Sequence, residues 1–262
     1  MRESDRVFLQ MWGPTREYLI ANHEFYVAEA KRRLLDQFDD QTMRADADRH
    51  ADEWLAERAG SFNPDRDDPA DNYEQADQEG IAFYQGLSGL RDSTRLSIIA
   101  GMFHEWEKQL RDWLGRELGH HGFGRHAHSA VWSTKLDELF DLFEKCGWNV
   151  RSLAFFDQLN RCQLVTNVYK HGNGPSSDSL KAVAPELAGK NGDLPAFFVS
   201  ALDYSTLTIT DDDLVRFAEA ITSFWRELPE NIFFSQVAEV PKWLDRALRK
   251  EKAEKAQKAA KA

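Results

Sequence analysis

The sequence SIIAGMFHEWEKQLRDWL, at residues 97–114, carries the densest apolar pattern of the chain. Large apolar side chains recur in it at intervals of three and four residues, which places them on one face of a helix. The residues on this face are Ile98, Ile99, Met102, Phe103, Trp106, Leu110, Trp113 and Leu114. We therefore predict a central helix inside a helical block at about residues 73–118, with a kink at Gly86 and Gly89.

Helical patterns on both sides of this block predict an all-α fold with a bundle as its core. Apolar side chains at helical spacing mark three later segments, and Pro241 opens a last helix. The three segments are residues 132–146, 150–171 and 211–229. Between them, residues 172–210 are irregular and contain the β-rich piece TLTIT at 206–210. We expect a short β-rich or irregular insertion there.

The N-terminal region predicts a long helix that becomes acidic. Neither Gly nor Pro interrupts residues 15–59, and the apolar stripe that begins at Leu19 ends near Phe38. A helix without an apolar face projects from the core or meets a partner, so we expect a protein partner at this acidic helix. The predicted organisation is a long N-terminal helix in residues 1–60, a helical bundle in 73–229, and a C-terminal helix with a Lys/Ala-rich tail in 230–262.

Composition and charge restrict the class of protein. The chain has 262 residues, of which 42% are hydrophobic, and its two cysteines are too few for a disulfide framework. We expect a cytoplasmic protein, because the sequence has no signal-peptide pattern and no apolar run long enough for a bilayer. Residues 36–79 carry 15 Asp and Glu against four Arg, which equals the net charge of −11 for the whole chain. This segment would repel a nucleic-acid duplex, whereas RNA contact elsewhere stays open.

The segment NRCQLVTNVYKHGNGPS, at residues 160–176, is the clearest candidate for chemistry. It predicts an amphipathic helix that ends in Lys170 and His171 and is stopped by Gly172. Asn167 lies one turn before His171 and therefore on nearly the same face. An imidazole beside an ammonium group can hold a phosphate and move a proton. The purely structural alternative is that Lys170 and His171 complement the helix dipole and Gly172 caps the helix.

The order of these segments resembles a HEPN domain, a helical module of prokaryotic toxins, antiviral effectors and RNA-processing proteins. Residues 97–114 resemble its first long helix, and LDELFDLFEKCGWNV at 136–150 resembles the segment before its motif helix. TNVYKHGNG at 166–174 resembles the Arg-Asn-x-x-x-His motif, with Asn167 and His171 at the Asn and His positions. The resemblance implies metal-independent RNA cleavage without a cofactor, a homodimer, and a role in toxin–antitoxin or antiviral defence.

The motif departs from the family at its arginine, because Thr166 stands at that position. Three alternatives follow: Arg161 acts across a dimer interface, Lys170 supplies the charge, or catalysis has been lost. The candidate catalytic residues are therefore His171, Asn167, Lys170 and Arg161. If catalysis has been lost, the alternative function is a non-catalytic HEPN-like interaction module that binds a basic partner.

Three other groups of residues have side chains that are capable of chemistry. His120, His121, His126 and His128 lie in a predicted loop at residues 119–128, where a zinc or nickel site is a distant alternative. His104 and Glu105 on the central helix are placed to face a polar site in the core, and the structural alternative, which we favour, is a satisfied, partly buried pair. Cys146 and Cys162 are predicted as core residues because apolar neighbours flank them.

Overall fold

The computed structural model describes residues 6–60, 63, 66, 68–172, 174–189 and 206–259. This part of the chain is mostly helical, which confirms the predicted class. Its helices are α1 (Gly13–Ala30), α2 (Asp40–Ala59), α3 (Pro69–His120), α4 (Arg125–Ser133), α5 (Leu136–Lys145), α6 (Phe156–His171), α7 (Pro175–Val183), α8 (Asp211–Glu227) and α9 (Lys242–Ala259). An antiparallel ribbon pairs β1 (Val7–Gln10) with β2 (Asn231–Phe233).

Helix α3 is the axis of the fold. It has 52 residues and is therefore about 78 Å long, and it continues through Gly86 and Gly89 without a break. Its second half is buried against α1, α4, α6 and α8, as the apolar pattern predicted. All eight apolar residues of the predicted face lie in the core.

The centre of the core is a group of aromatic rings around Phe224 of α8. Its ring centroid lies 5.1 Å from that of Trp106 in α3 and 5.3 Å from that of Trp148. The rings of Phe143 and Phe155 are 6.3 Å and 6.1 Å away, both in edge-on geometry. Phe224 thus joins the central helix to α5 and to the segment between α5 and α6.

The prediction of one continuous N-terminal helix is wrong. Helix α1 ends at Ala30 and is followed by a π-helical turn, Lys31–Leu35, and a 3₁₀ turn, Asp36–Phe38. Asp39 then adopts an extended backbone, and its carboxylate accepts a hydrogen bond from the Thr42 amide at 3.0 Å. Asp39 is therefore the N-cap of a new helix, α2, a role that needs neither Gly nor Pro.

Helix α2 and the first half of α3, residues 69–90, form a helical hairpin that we call the acidic arm. Its interface is narrow and uses small residues: Gly80 packs against Ala47 and Ala51, and a Cβ at Gly80 would lie 3.3 Å from both. Beside these small residues, the imidazole of His50 in α2 stacks on the ring of Phe83 in α3, with the ring centroids 4.5 Å apart. The acidic segment without a wide apolar face therefore packs as a hairpin and does not project as a single helix.

The N- and C-terminal segments join the same core as the bundle. Strand β1 pairs with β2, and the Met11 amide donates to the Glu230 carbonyl at 2.8 Å. Leu19 of α1 and Leu244 of α9 belong to the same hydrophobic cluster as α3. The predicted boundaries at residues 60 and 230 therefore separate secondary-structure elements and not independent cores.

The β-rich piece at residues 206–210 does not form a strand. Leu207 and Ile209 are buried, and the Thr208 amide donates to the Leu187 carbonyl at 3.1 Å. The alternating apolar pattern buries side chains in the core, but an extended segment becomes a strand only with a neighbouring strand. The rest of the predicted insertion, residues 190–205, lies outside the described residues.

Helices α4 and α9 pack together beside the end of α3. The Glu251 carboxylate of α9 accepts hydrogen bonds from the Gly124, His126 and Ala127 amides at the start of α4. These backbone donors keep the pKa of Glu251 below its usual value even though burial opposes ionisation. The predicted loop at residues 119–128 is therefore shorter than expected, because α4 begins at Arg125.

Candidate functional site

Helix α6 carries the motif that resembles HEPN domains, and it ends as predicted. His171 is its last residue, and Gly172 adopts a φ of +65°, a backbone conformation that L side chains rarely take. The Gly172 amide donates to the Val168 carbonyl at 2.8 Å and closes the last turn. Lys170 and His171 are exposed at this end of the helix.

One face of α6 is buried in the core, and it includes the position of the family's arginine. Thr166 is fully buried, together with Leu159, Cys162 and Val165. A side chain at position 166 therefore points away from the exposed end that carries His171. Burial raises the pKa of Cys162 and raises that of Cys146 to about 12, which agrees with their prediction as core residues.

The outer face of α6 presents polar groups. Asn160, Gln163, Asn167 and His171 recur at intervals of three and four residues and so share this face. Asn167 is half-buried and His171 is exposed, one turn apart, as the sequence predicts. In the described part of the chain, neither side chain is engaged in a side-chain hydrogen bond or an ion pair.

Arg161 is not brought to this site. It lies ten residues before His171, about 15 Å along the helix. Its guanidinium binds Asp157 at 2.8 Å and Glu186 at 2.6 Å, which ties α6 to the chain after α7. Within one chain, Arg161 is therefore already neutralised by two carboxylates and is remote from His171.

Helix α3 supplies a second imidazole. The Ser97 and Tyr169 hydroxyls are 2.7 Å apart and join α3 to the last turn of α6. Burial lowers the pKa of His104, and the nearby charge of Lys170 lowers it further. The charge of Lys170 therefore acts on His104, although 66 positions separate them in the chain.

The acidic partner of His104 is Glu107 and not the predicted Glu105. Its carboxylate lies 3.8 Å from the His104 Nδ1 atom, and its charge opposes the lowering of the His104 pKa. Glu107 also binds Arg111 at 2.6 Å. Glu105 is exposed and pairs with Lys108 at 2.8 Å. The spacing of His104 and Glu107, three residues on a helix, is the sequence signal for this contact.

The four histidines near the end of α3 contact different residues. The His121 Nε2–H donates to the Phe8 carbonyl at 2.6 Å, and the imidazole stacks on the Phe8 ring. His126 contacts the Glu254 carboxylate at 2.9 Å, and His128 packs against Gly115. Among the described residues, no group of three His, Cys, Asp or Glu side chains is arranged to hold a metal ion.

Comparisons of the chain with protein-family models, curated proteins and solved structures find no match in any of the three. None of the described helices is both long enough and apolar enough to cross a membrane. The function is therefore argued from the residues at the end of α6 and from their neighbours on α3.

Proposed function

We propose that this protein is a metal-independent endoribonuclease whose site lies at the C-terminal end of α6. The observation that supports this proposal is the contact between the Ser97 and Tyr169 hydroxyls at 2.7 Å, which joins α3 to the last turn of α6. His104 lies two turns after Ser97 on the same face of α3, so a second imidazole faces the side on which α6 packs. Two imidazoles and one ammonium group are a sufficient set for cleavage of a phosphodiester next to a 2′-hydroxyl. The proposal retains the resemblance to HEPN domains and the homodimer that this resemblance implies.

Each residue has a distinct role in the proposed reaction. His104, whose lowered pKa favours the neutral form at pH 7, accepts the proton of the RNA 2′-hydroxyl. The 2′-oxygen then bonds to the adjacent phosphorus, and the bond from phosphorus to the 5′-oxygen breaks. His171 donates a proton to this leaving oxygen, and Lys170 stabilises the negative charge of the phosphorane. The products are a 2′,3′-cyclic phosphate and a 5′-hydroxyl.

Asn167 and Arg161 have supporting roles in this proposal. Asn167 lies one turn before His171, where its carboxamide can orient the imidazole or the bound ribose. Arg161 stabilises the packing of α6 through its two carboxylate partners. Lys170 therefore supplies the charge that the family's arginine provides, which is the second of the three alternatives left by the sequence.

The proposal predicts a specific loss of activity on removal of the α6 imidazole. Purified protein incubated with mixed RNA in EDTA should cleave it, and His171→Ala should reduce the rate about 100-fold or more, as expected for loss of a general acid. Gel electrophoresis with an assay for 2′,3′-cyclic phosphate measures both the rate and the products. His120→Ala is the matched control, because His120 is also an exposed histidine in the last turn of a helix.

The outcomes separate the alternatives. Cleavage that EDTA abolishes would contradict a metal-independent mechanism, and equal activity of His171→Ala and wild type would contradict the assigned site. Intact RNA in every lane would favour the second candidate function, an interaction module. That candidate rests on the acidic arm, which exposes most of its carboxylates and would bind a basic protein partner.

The proximity of Lys170 to His104 predicts a change in titration. Lys170→Gln should raise the pKa of His104 towards its usual value, because it removes a nearby positive charge that disfavours the imidazolium. The pKa should stay below that value, since burial is the larger cause of the shift. NMR titration of the imidazole C–H signals measures it. Lys181→Gln, an exposed lysine of α7, is the control, and an unchanged His104 pKa in Lys170→Gln would contradict the proposed site.

A further inference from the structure

A second polar surface lies between α4 and α9. A groove of about 500 Å³ opens there, and we call it the basic groove. The residues that line it and carry the argument are Ser129, Ser133, Lys242, Trp243, Arg246 and Lys250. None of these residues belongs to the proposed catalytic site.

The positive charge of the basic groove comes from one face of α9. Lys242, Arg246 and Lys250 are spaced by four residues, so their side chains follow one another about 6 Å apart along the helix. All three are exposed, and none has a carboxylate within ion-pair distance in the described part of the chain. On another face of the same helix, Arg249 is paired with Asp245 at 2.9 Å.

The one carboxylate among the groove residues does not cancel this charge. Glu138 accepts hydrogen bonds from the Thr134 hydroxyl at 2.5 Å and the Lys135 amide at 3.3 Å. These bonds lower the pKa of Glu138, so the carboxylate remains ionised. They also cap the N-terminal end of α5. Three cations against one carboxylate leave the groove positive in a chain whose net charge is −11.

The walls of the groove add hydrogen-bond donors and an aromatic ring. The Ser129 and Ser133 hydroxyls line the α4 side. On the α9 side, Trp243 is partly buried against the core, and its ring lines the groove. Cations, hydroxyls and an indole together match the phosphate oxygens and bases of a nucleic-acid strand.

We propose that the basic groove binds the phosphate backbone of a single strand of RNA. The choice of RNA as the ligand rests on the proposed ribonuclease function, whereas the positive groove is an independent observation. A row of cations on one helix follows one backbone, and Trp243 offers a ring edge to a base beside it.

The test uses RNA that cannot be cleaved. A fluorescein-labelled 12-nucleotide oligouridine with 2′-O-methyl groups lacks the attacking hydroxyl, so fluorescence anisotropy reports binding alone. The triple variant Lys242→Gln, Arg246→Gln and Lys250→Gln should raise Kd at least about tenfold. The slope of log Kd against log salt should fall by about 2, since each phosphate contact on a single strand contributes about 0.7.

A double variant of α9 outside the groove is the matched control. Arg249→Gln with Lys252→Gln removes two cations from the same helix and should leave Kd within about twofold of wild type. Equal weakening of RNA binding by both variants would show only general charge attraction and would contradict a specific RNA site in the groove. A wild-type Kd in the triple variant would contradict it too. An absence of binding by wild type would overturn it as well.

This binding assay and the cleavage assay with natural RNA together separate the two proposals. Uncleaved natural RNA together with weakened binding by the triple variant would reject the ribonuclease and retain the groove. Cleavage of natural RNA together with unchanged binding by the triple variant would retain the ribonuclease and reject the groove. Far-UV circular dichroism checks the fold, which exposed side chains on α9 should not disturb.

Discussion

Replacement of Phe224 with alanine is expected to lower the free energy of unfolding by about 4 kcal/mol, as for other large-to-small changes of buried aromatic residues. Phe224 is fully buried, and its ring contacts Trp106 in α3 and Trp148 after α5. Loss of the ring leaves a cavity that rigid aromatic neighbours fill poorly. Edge-on aromatic contacts add to the cost beyond the buried area.

Thermal and urea denaturation measure this effect. A loss of about 4 kcal/mol lowers Tm by about 10 °C in a domain of this size. Phe25→Ala is the matched control, because the Phe25 side chain is 69% exposed and its removal should change stability by less than about 1 kcal/mol. If the two variants have the same Tm and the same urea midpoint, Phe224 does not occupy the centre of the core.

Thr166→Arg is expected to destabilise the protein by at least about 3 kcal/mol instead of completing the family's motif. Thr166 has no exposed surface, and it lies on the face of α6 that packs into the bundle with Val165. An arginine there overfills the core and places an unpaired cation in an apolar environment. Gain of ribonuclease activity from this change is therefore not expected.

Asn167→Arg is the control for Thr166→Arg. It places the same side chain one residue further along α6, on the half-buried outer face, where the guanidinium reaches water. Urea denaturation should show a near-normal midpoint for Asn167→Arg and a large decrease for Thr166→Arg. Equal stability of the two variants would mean that residue 166 faces solvent and that the orientation of α6 described above is wrong.

The candidate site was only partly predictable from the sequence. The end of α6 at His171, the stop at Gly172 and the shared face of Asn167 and His171 follow from helix periodicity and a glycine cap. The structure excludes Arg161 from this site within one chain because Asp157 and Glu186 bind it. Asp157 lies four residues before Arg161 on α6, so helix spacing predicts that pair, whereas the pairing with Glu186 depends on where α7 directs the chain.

The organisation of the N-terminal region shows a second limit of sequence patterns. Neither Gly nor Pro marks the break between α1 and α2, where two short turns lead to Asp39, which caps a new helix. A capping aspartate in an acidic sequence resembles its neighbours, so composition does not distinguish it. The ribbon of β1 and β2 was also not predicted, because its strands of four and three residues are more than 200 positions apart.

The sequence by itself determined the all-α class, the central position of α3 and the polar end of α6, because these depend on the spacing of side chains along one helix. Only the tertiary structure decided that the last turn of α6 meets α3, the helix of His104, that Thr166 is buried, and that three cations of α9 face α4. These features depend on contacts between helices, and periodicity assigns a residue to a face without naming the neighbour that the face meets.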